Sequence, residues 1–129
     1  MKEILTILIM ITSMANVNNG TDSVNMILFG GHAESGYFVG DVLPGGVDTQ
    51  KFNQDGGGLS ARYILEGKDC EGQDCKIFIE NNGKFGEEFT KPVVVTDSKA
   101  LSFLNGAELK GKLDSSDGGL TIRIYLPEE

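Results

Sequence analysis

The chain has 129 residues, 18 of them glycine, and its 19 acidic and 11 basic side chains leave a net charge of −8. That length fits one domain over residues 1–129, and the 40% hydrophobic content excludes a disordered chain. The acidic balance repels phosphate, which argues against nucleic acid and membrane surfaces as partners.

The first predicted element is a strand over 3–12. Ile4 to Ile11 is an apolar run too short to cross a bilayer, and its β-branched residues (Ile4, Thr6, Ile7, Ile9, Ile11) suit a buried strand. A cleaved secretory signal is the competing reading, because Lys2 precedes the run and Ser13, Met14 and Ala15 follow it. The strand reading places the protein in the cytoplasm. Asn16 to Gly20 reads as a turn, and further strands are expected at 24–29, 36–43, 47–53, 58–66, 75–82, 92–96, 107–113 and 119–126. Between them stand turn clusters: Pro44-Gly45-Gly46, Asp55-Gly56-Gly57, Gly67 to Asp74, Asn82-Gly83 and Asp114 to Gly118. One segment departs from this rhythm. Thr96 to Leu104 opens with N-cap residues, keeps i,i+3 apolar spacing and stops at Asn105-Gly106, which predicts one or two helical turns within 97–104.

Short strands at this spacing predict an all-β fold. Leu59, Ala61, Tyr63 and Leu65 share one face, as do Ile77, Ile79 and Asn81, and as do Leu120, Ile122, Ile124 and Leu126. One apolar face per strand predicts a closed or nearly closed antiparallel β-barrel, whose interior is either filled or holds one small ligand.

Cys70 and Cys75 flank a hairpin loop. Reduced thiols and a cross-strand disulfide both fit that spacing, and a reducing cytosol favours the thiols. Two thiols and the single His32 fall short of a zinc site, and no cofactor motif appears, so neither metal nor cofactor is expected. Gly56-Gly57-Gly58 lacks the Lys and Ser or Thr of a phosphate loop.

The candidate site residues are polar groups on inward faces. Asp48 and Gln50 share a face in line with Phe52. Inside a cavity, desolvation would raise the pKa of Asp48 and fit it for proton transfer; the alternative is a carboxylate capping the Pro44-Gly45-Gly46 corner. Tyr63 either offers its hydroxyl to a ligand or bonds backbone as a core tyrosine. Asn81 inside needs hydrogen bonds from a ligand, water or a turn. Arg62 faces opposite Tyr63 and either meets a ligand at the rim or pairs with an acidic neighbour outside. His32 reads as an ordinary loop or strand residue, and Glu87-Glu88 and Glu128-Glu129 as solvated.

The run Gly40-Asp41-Val42-Leu43-Pro44-Gly45-Gly46-Val47-Asp48-Thr49-Gln50 is distinctive. So are Ala61 to Glu66, Ile77 to Gly83 and Gly30-Gly31 with Gly36. With Pro92, Asp97, Phe103-Leu104-Asn105 and Ile122 to Tyr125, they resemble uncharacterised protein family three-hundred-and-eleven of the UPF series, a bacterial domain of unknown function. The resemblance implies a lipocalin-like barrel with an internal cavity and no settled activity. The family commonly has Trp where this chain has Thr49, and its hairpin around Cys70 and Cys75 is shorter.

These observations lead to a barrel that binds a small, partly apolar molecule through Asp48, Gln50, Tyr63, Asn81 and Arg62. A cofactor-free isomerase or cyclase using Asp48 and Tyr63 for proton transfer is the alternative, and a filled barrel acting through its surface is another. A homodimer is expected through an outer patch of Arg62, Ile64, Phe78 and Tyr125.

Overall fold

A computed structural model describes residues 1–116 and 119–127. Nine strands form one antiparallel sheet: β1 (Lys2–Asn18), β2 (Ser23–Glu34), β3 (Phe38–Val42), β4 (Val47–Asn53), β5 (Gly56–Asp69), β6 (Asp74–Lys84), β7 (Lys91–Thr96), β8 (Lys110–Ser116) and β9 (Gly119–Leu126). β3 and β4 each lie antiparallel between β2 and β5, so they are two halves of one strand position. The break between them is the Pro44-Gly45-Gly46 corner, where Gly45 adopts φ 107°. The corner stays tied to both neighbours, because Leu43 N–H donates to the Ile64 carbonyl at 2.8 Å and Phe29 N–H to the Gly46 carbonyl at 3.0 Å.

The sheet rolls into a nearly closed barrel with an up-and-down meander. β1 pairs with β9, β9 with β8, and β8 meets β7 through a single bridge between Thr90 and Gly111. At that seam each residue's N–H donates to the other's carbonyl, at 2.8 and 3.1 Å.

Alternation places the core as the sequence implies. Ala61, Tyr63 and Leu65 of β5, Ile77, Ile79 and Asn81 of β6, and Ile122 and Ile124 of β9 are buried. In β1 a bulge between Glu3 and Leu5 lets the adjacent Ile4 and Leu5 both turn inward, ahead of Ile7 and Ile9. Phe38, Leu101, Leu104 and Leu109 pack into the same core. The opposite end, where the β1–β2, β4–β5 and β6–β7 connections lie and where β8 and β9 end at the Ser116–Gly119 pair, is the mouth.

Several expectations need correction. Asn82-Gly83 is not a turn: both residues lie within β6 and pair with Ser60 and Leu59 of β5. β1 does not stop at residue 12: after a bulge between Ile11 and Ser13 it pairs with β2 out to Asn18, so the hairpin overhangs the mouth. The turn falls at Asn19 to Asp22, where the Asn19 side chain accepts the N–H groups of Thr21 and Asp22 at 3.0 and 2.8 Å. The helix expected within 97–104 is only a 3-10 turn at Ser102–Leu104. Its end residues are tied to the barrel wall as well. Asp97 accepts the Lys76 N–H at 2.8 Å, and Ser98 Oγ donates to Asp69 at 2.7 Å while accepting the Leu101 N–H at 3.1 Å. Asn105 holds both the N–H and the carbonyl of Thr96, at 2.8 and 3.2 Å. The stretch is a strap stitched to β5, β6 and β7. The expected turn at Asp114 to Gly118 is corrected in its first part, because Asp114 to Ser116 continue β8 in register with β9; Asp117-Gly118 and Glu128-Glu129 lie outside the described residues.

Candidate functional site

A cavity of about 100 Å³ opens at the mouth, with Asp48, Gln50 and Asn81 among otherwise apolar walls that include Ile9, Phe29 and Ile122. Strand register explains the grouping. Asp48 of β4 pairs with Ala61 of β5, which pairs with Asn81 of β6, so the three stand side by side on one level of the inner face. The methyl group of Ala61 leaves the space between the two polar side chains open.

Asp48 is held from one side only. Its Oδ2 accepts the Gln50 side-chain N–H at 3.2 Å, while its Oδ1 is buried with no protein partner. Burial pushes the carboxyl pKa up, and the Gln50 hydrogen bond pulls it back. Gln50 belongs to a relay across the mouth. Asn16 Nδ2 donates to Asn25 Oδ1 at 2.7 Å, Asn25 Nδ2 donates to Gln50 Oε1 at 3.4 Å, and Gln50 donates to Asp48. Each amide points its N–H toward the carboxylate, so the relay fixes the orientation of Gln50 and steadies Oδ2. Asn16 and Asn25 escaped the sequence reading. Asn25 shares parity with Ile27 and Phe29, which was the available signal; Asn16 joins that face only because of the bulge in β1.

Asn81 is 0% exposed, and neither its side-chain oxygen nor its nitrogen has a partner. Thr90 Oγ1 beside it is likewise buried and unpartnered. Both crowd Gly111 at the seam: a Cβ there would collide with Thr90 Oγ1 and lie 3.3 Å from Asn81 Oδ1. Glycine at 111 therefore makes room for these two polar groups. Thr90 and Gly111 also escaped the sequence reading, because their pairing links segments some twenty residues apart with no local pattern.

Tyr63 points inward, with its ring edge against Phe29 at 5.2 Å and 74°. Its buried hydroxyl has no partner, and burial, then the charge of Asp48, holds its pKa far above the usual phenol value. Tyr63 does not line the mouth cavity, however. It borders a separate shallow depression beside Leu43, Pro44, Gly45 and Gly46. Tyr63, expected to serve a ligand together with Asp48, thus stands a layer below the cavity that Asp48 lines. Arg62 takes the second of its two readings, facing outward with its Nε 3.0 Å from Glu80 Oε2, and its place among the ligand-binding residues is corrected, because it does not line the mouth cavity. Phe52 is exposed at the mouth and stacks on Phe85 at 4.7 Å.

His32 faces outward from β2. Its Nδ1 is 2.8 Å from Asp41 and its Nε2 3.4 Å from Glu34, and the Asp41 hydrogen bond raises its pKa. Cys70 is exposed, Cys75 buried, and both are free. Among the described residues no three His, Cys, Asp or Glu side chains gather into a metal-binding group, and no helix is long and apolar enough to cross a membrane.

The chain matches no protein-family model and no curated protein sequence. Its architecture is shared with solved structures. A protein of unknown function from Clostridium acetobutylicum is 23% identical and superposes with a TM-score of 0.81 over 98% of both chains. A β-barrel-like protein from Acinetobacter baumannii is 16% identical, with a TM-score of 0.77 over 96% of this chain and 92% of that one. An enzyme from Penicillium herquei is 13% identical, with a TM-score of 0.69 over 96% and 92%. At these identities the likeness concerns the fold alone.

Proposed function

We propose that the mouth cavity binds a small, partly apolar molecule carrying a hydrogen-bond donor. The observation that carries this reading is the set of buried polar atoms without partners, Asp48 Oδ1 and both side-chain atoms of Asn81, inside an otherwise apolar wall. Such atoms are costly when left dry, and a ligand that pairs with them recovers that cost. An apolar pocket with a few convergent polar groups is the usual build of a small-molecule site. The lining holds one carboxylate and no cation, so it favours a neutral or positively charged ligand over an anion. Its volume, about 100 Å³, is small beside the roughly 300–1,000 Å³ of ordinary ligand pockets. A polar head therefore enters while the apolar body rests at the mouth against Ile11, Ile27 and Leu59.

The test uses n-butylamine, n-butanol and butyrate as probes, read by NMR at the Asn81 side-chain amide. The amine and the alcohol are expected to shift that signal, and butyrate is not. Silence toward all three, together with native mass spectra free of any co-purified small molecule, would end the binding reading.

A second reading is a cofactor-free isomerase or cyclase. The raised pKa of Asp48 favours it, because a desolvated carboxylate is a stronger base toward a bound donor. Asp48 would take a proton from the ligand, and Tyr63 would enter only if its hydroxyl swung toward the cavity. Membership of uncharacterised protein family three-hundred-and-eleven is proposed on the Leu43 to Gln50 run. A cytoplasmic location is proposed on the two free thiols.

A further inference from the structure

We infer that the overhanging edge of β1 pairs antiparallel with the same edge of a second copy of this chain, forming a two-fold dimer at the cavity mouth. β9 covers β1 only as far as the Ile9–Leu120 pair. Beyond it, from Thr12 to Asn18, β1 has β2 on one side and no strand among the described residues on the other. Met14 and Val17 stand 60% and 65% exposed there, and Ile11 just ahead of the stretch 64%.

Free strand edges are a hazard that proteins guard with charge, proline or bulges. This molecule guards its others: the β7 edge carries Lys91 and Pro92, and the β8 edge carries Lys110, Lys112 and Asp114. The β1 overhang carries one bulge and neither charge nor proline. No charged residue occurs from Ile4 to Thr21, in a chain of net charge −8. The bare row of N–H and C=O groups asks for a strand, and the absence of charge lets that strand be its own copy. Two such acidic molecules repel at most surfaces and meet without repulsion here. Antiparallel pairing about a two-fold axis occupies both edges at once and closes the assembly; any other arrangement leaves an edge free to recruit more chains. Met14 pairs with Ile27, which lines the cavity, so the partner subunit's β1 comes to lie along the rim of the mouth.

The experiment is sedimentation of the full chain at micromolar concentration, with Met14→Lys and Met14→Glu variants. The wild type is expected at twice 13.9 kDa. Each variant alone is expected to sediment as a monomer with unchanged circular dichroism, because the overhang lies outside the core. An equimolar mixture of the two variants is expected to dimerise again, since pairing centred on the middle of the free edge brings the opposite charges within reach of each other as diagonal neighbours. A wild-type monomer overturns the inference, and so does a dimer that survives Met14→Lys. Should one variant fail to fold, Val17→Lys at the far end of the same edge carries the same expectation and the same refutation.

Discussion

Asp48 and Asn81 stand on either side of Ala61, each its direct neighbour across a strand pair. One carries a carboxylate oxygen without a partner, the other a whole amide without one. The residue between them is the smallest side chain on that level, and the space above it is the cavity.

Replacing Ala61 by leucine fills that space. Ala61→Leu is expected to abolish binding of the amine and alcohol probes and to change stability by less than ~1.5 kcal/mol, because the added methylenes enter an existing void. NMR titration and urea unfolding on the same variant check both parts.

Asp48→Asn separates the site reading from the turn-cap reading. Burial raises the folded-state pKa of Asp48 above 3.8, so the ionised form opposes folding at neutral pH. The penalty is present above the folded pKa and is relieved as pH falls through it toward 3.8. The variant is therefore expected to melt higher than wild type at pH 7, with the gap closing in acid, and to lose affinity for n-butylamine. A melting temperature that drops at pH 7 with probe binding intact would identify Asp48 as a structural cap.

Asn81→Leu removes a buried amide that nothing in the chain satisfies. It is expected to raise stability by about 1 kcal/mol in urea unfolding and to remove probe binding. A large destabilisation would mean that the amide has an essential structural partner, such as fixed water.

At the other end of the barrel, Asp69 supplies the opposite pH response. The Ser98 hydroxyl, aided by the N–H groups of Glu71 and Gln73, holds its carboxyl below the usual range. This contribution is present above 3.8 and is lost as pH falls through the lower folded value. Ser98→Ala should bring acid unfolding to higher pH and detach the strap; an unchanged acid midpoint on circular dichroism would contradict this.

Much of the barrel was legible in the sequence. Period-two alternation fixes the inward faces of β5, β6 and β9, and the clusters at Pro44-Gly45-Gly46, Asp55-Gly56-Gly57 and Gly67 to Asp74 mark turns, whereas Asn82-Gly83 continues β6. Asp48, Gln50 and Asn81 could be found by parity alone. What could not be read depends on register and on distant partners. The bulge in β1 resets which residues face inward, which hid Asn16. The Thr90–Gly111 seam joins segments with no local signature. The helix signal at 97–104 yields only one 3-10 turn because Asp97 and Asn105 bond to β6 and β7, and Ser98, though it accepts the Leu101 N–H as a cap would, also ties the segment to Asp69 of β5. Tyr63 was assigned the correct face, but parity carries no information about depth, so the layer it occupies was missed. The outer patch expected to carry dimerisation does not hold together either: Arg62, Ile64 and Phe78 sit on β5 and β6, whereas Tyr125 lies on β9, across β3, β2 and β1.

Gly40 and Gly67 face each other across β3 and β5, and a Cβ on either would collide with backbone of the other strand. Gly67→Ala is expected to force these strands apart and cost about 1–3 kcal/mol, measured by urea unfolding at neutral pH. A neutral result would show that the two strands can spread without loss.

The joint between β7 and β8 gives the barrel wall an unequal strength. Elsewhere neighbouring strands share ladders of several residue pairs, but here, among the described residues, the backbone closure consists of two hydrogen bonds between Thr90 and Gly111. Breathing motions follow the fewest bonds, so the wall parts first along this line. Asn81 and Thr90 sit immediately behind it. Opening along it would give solvent a side entrance to Asn81, whose side chain is fully buried, without any change at the mouth.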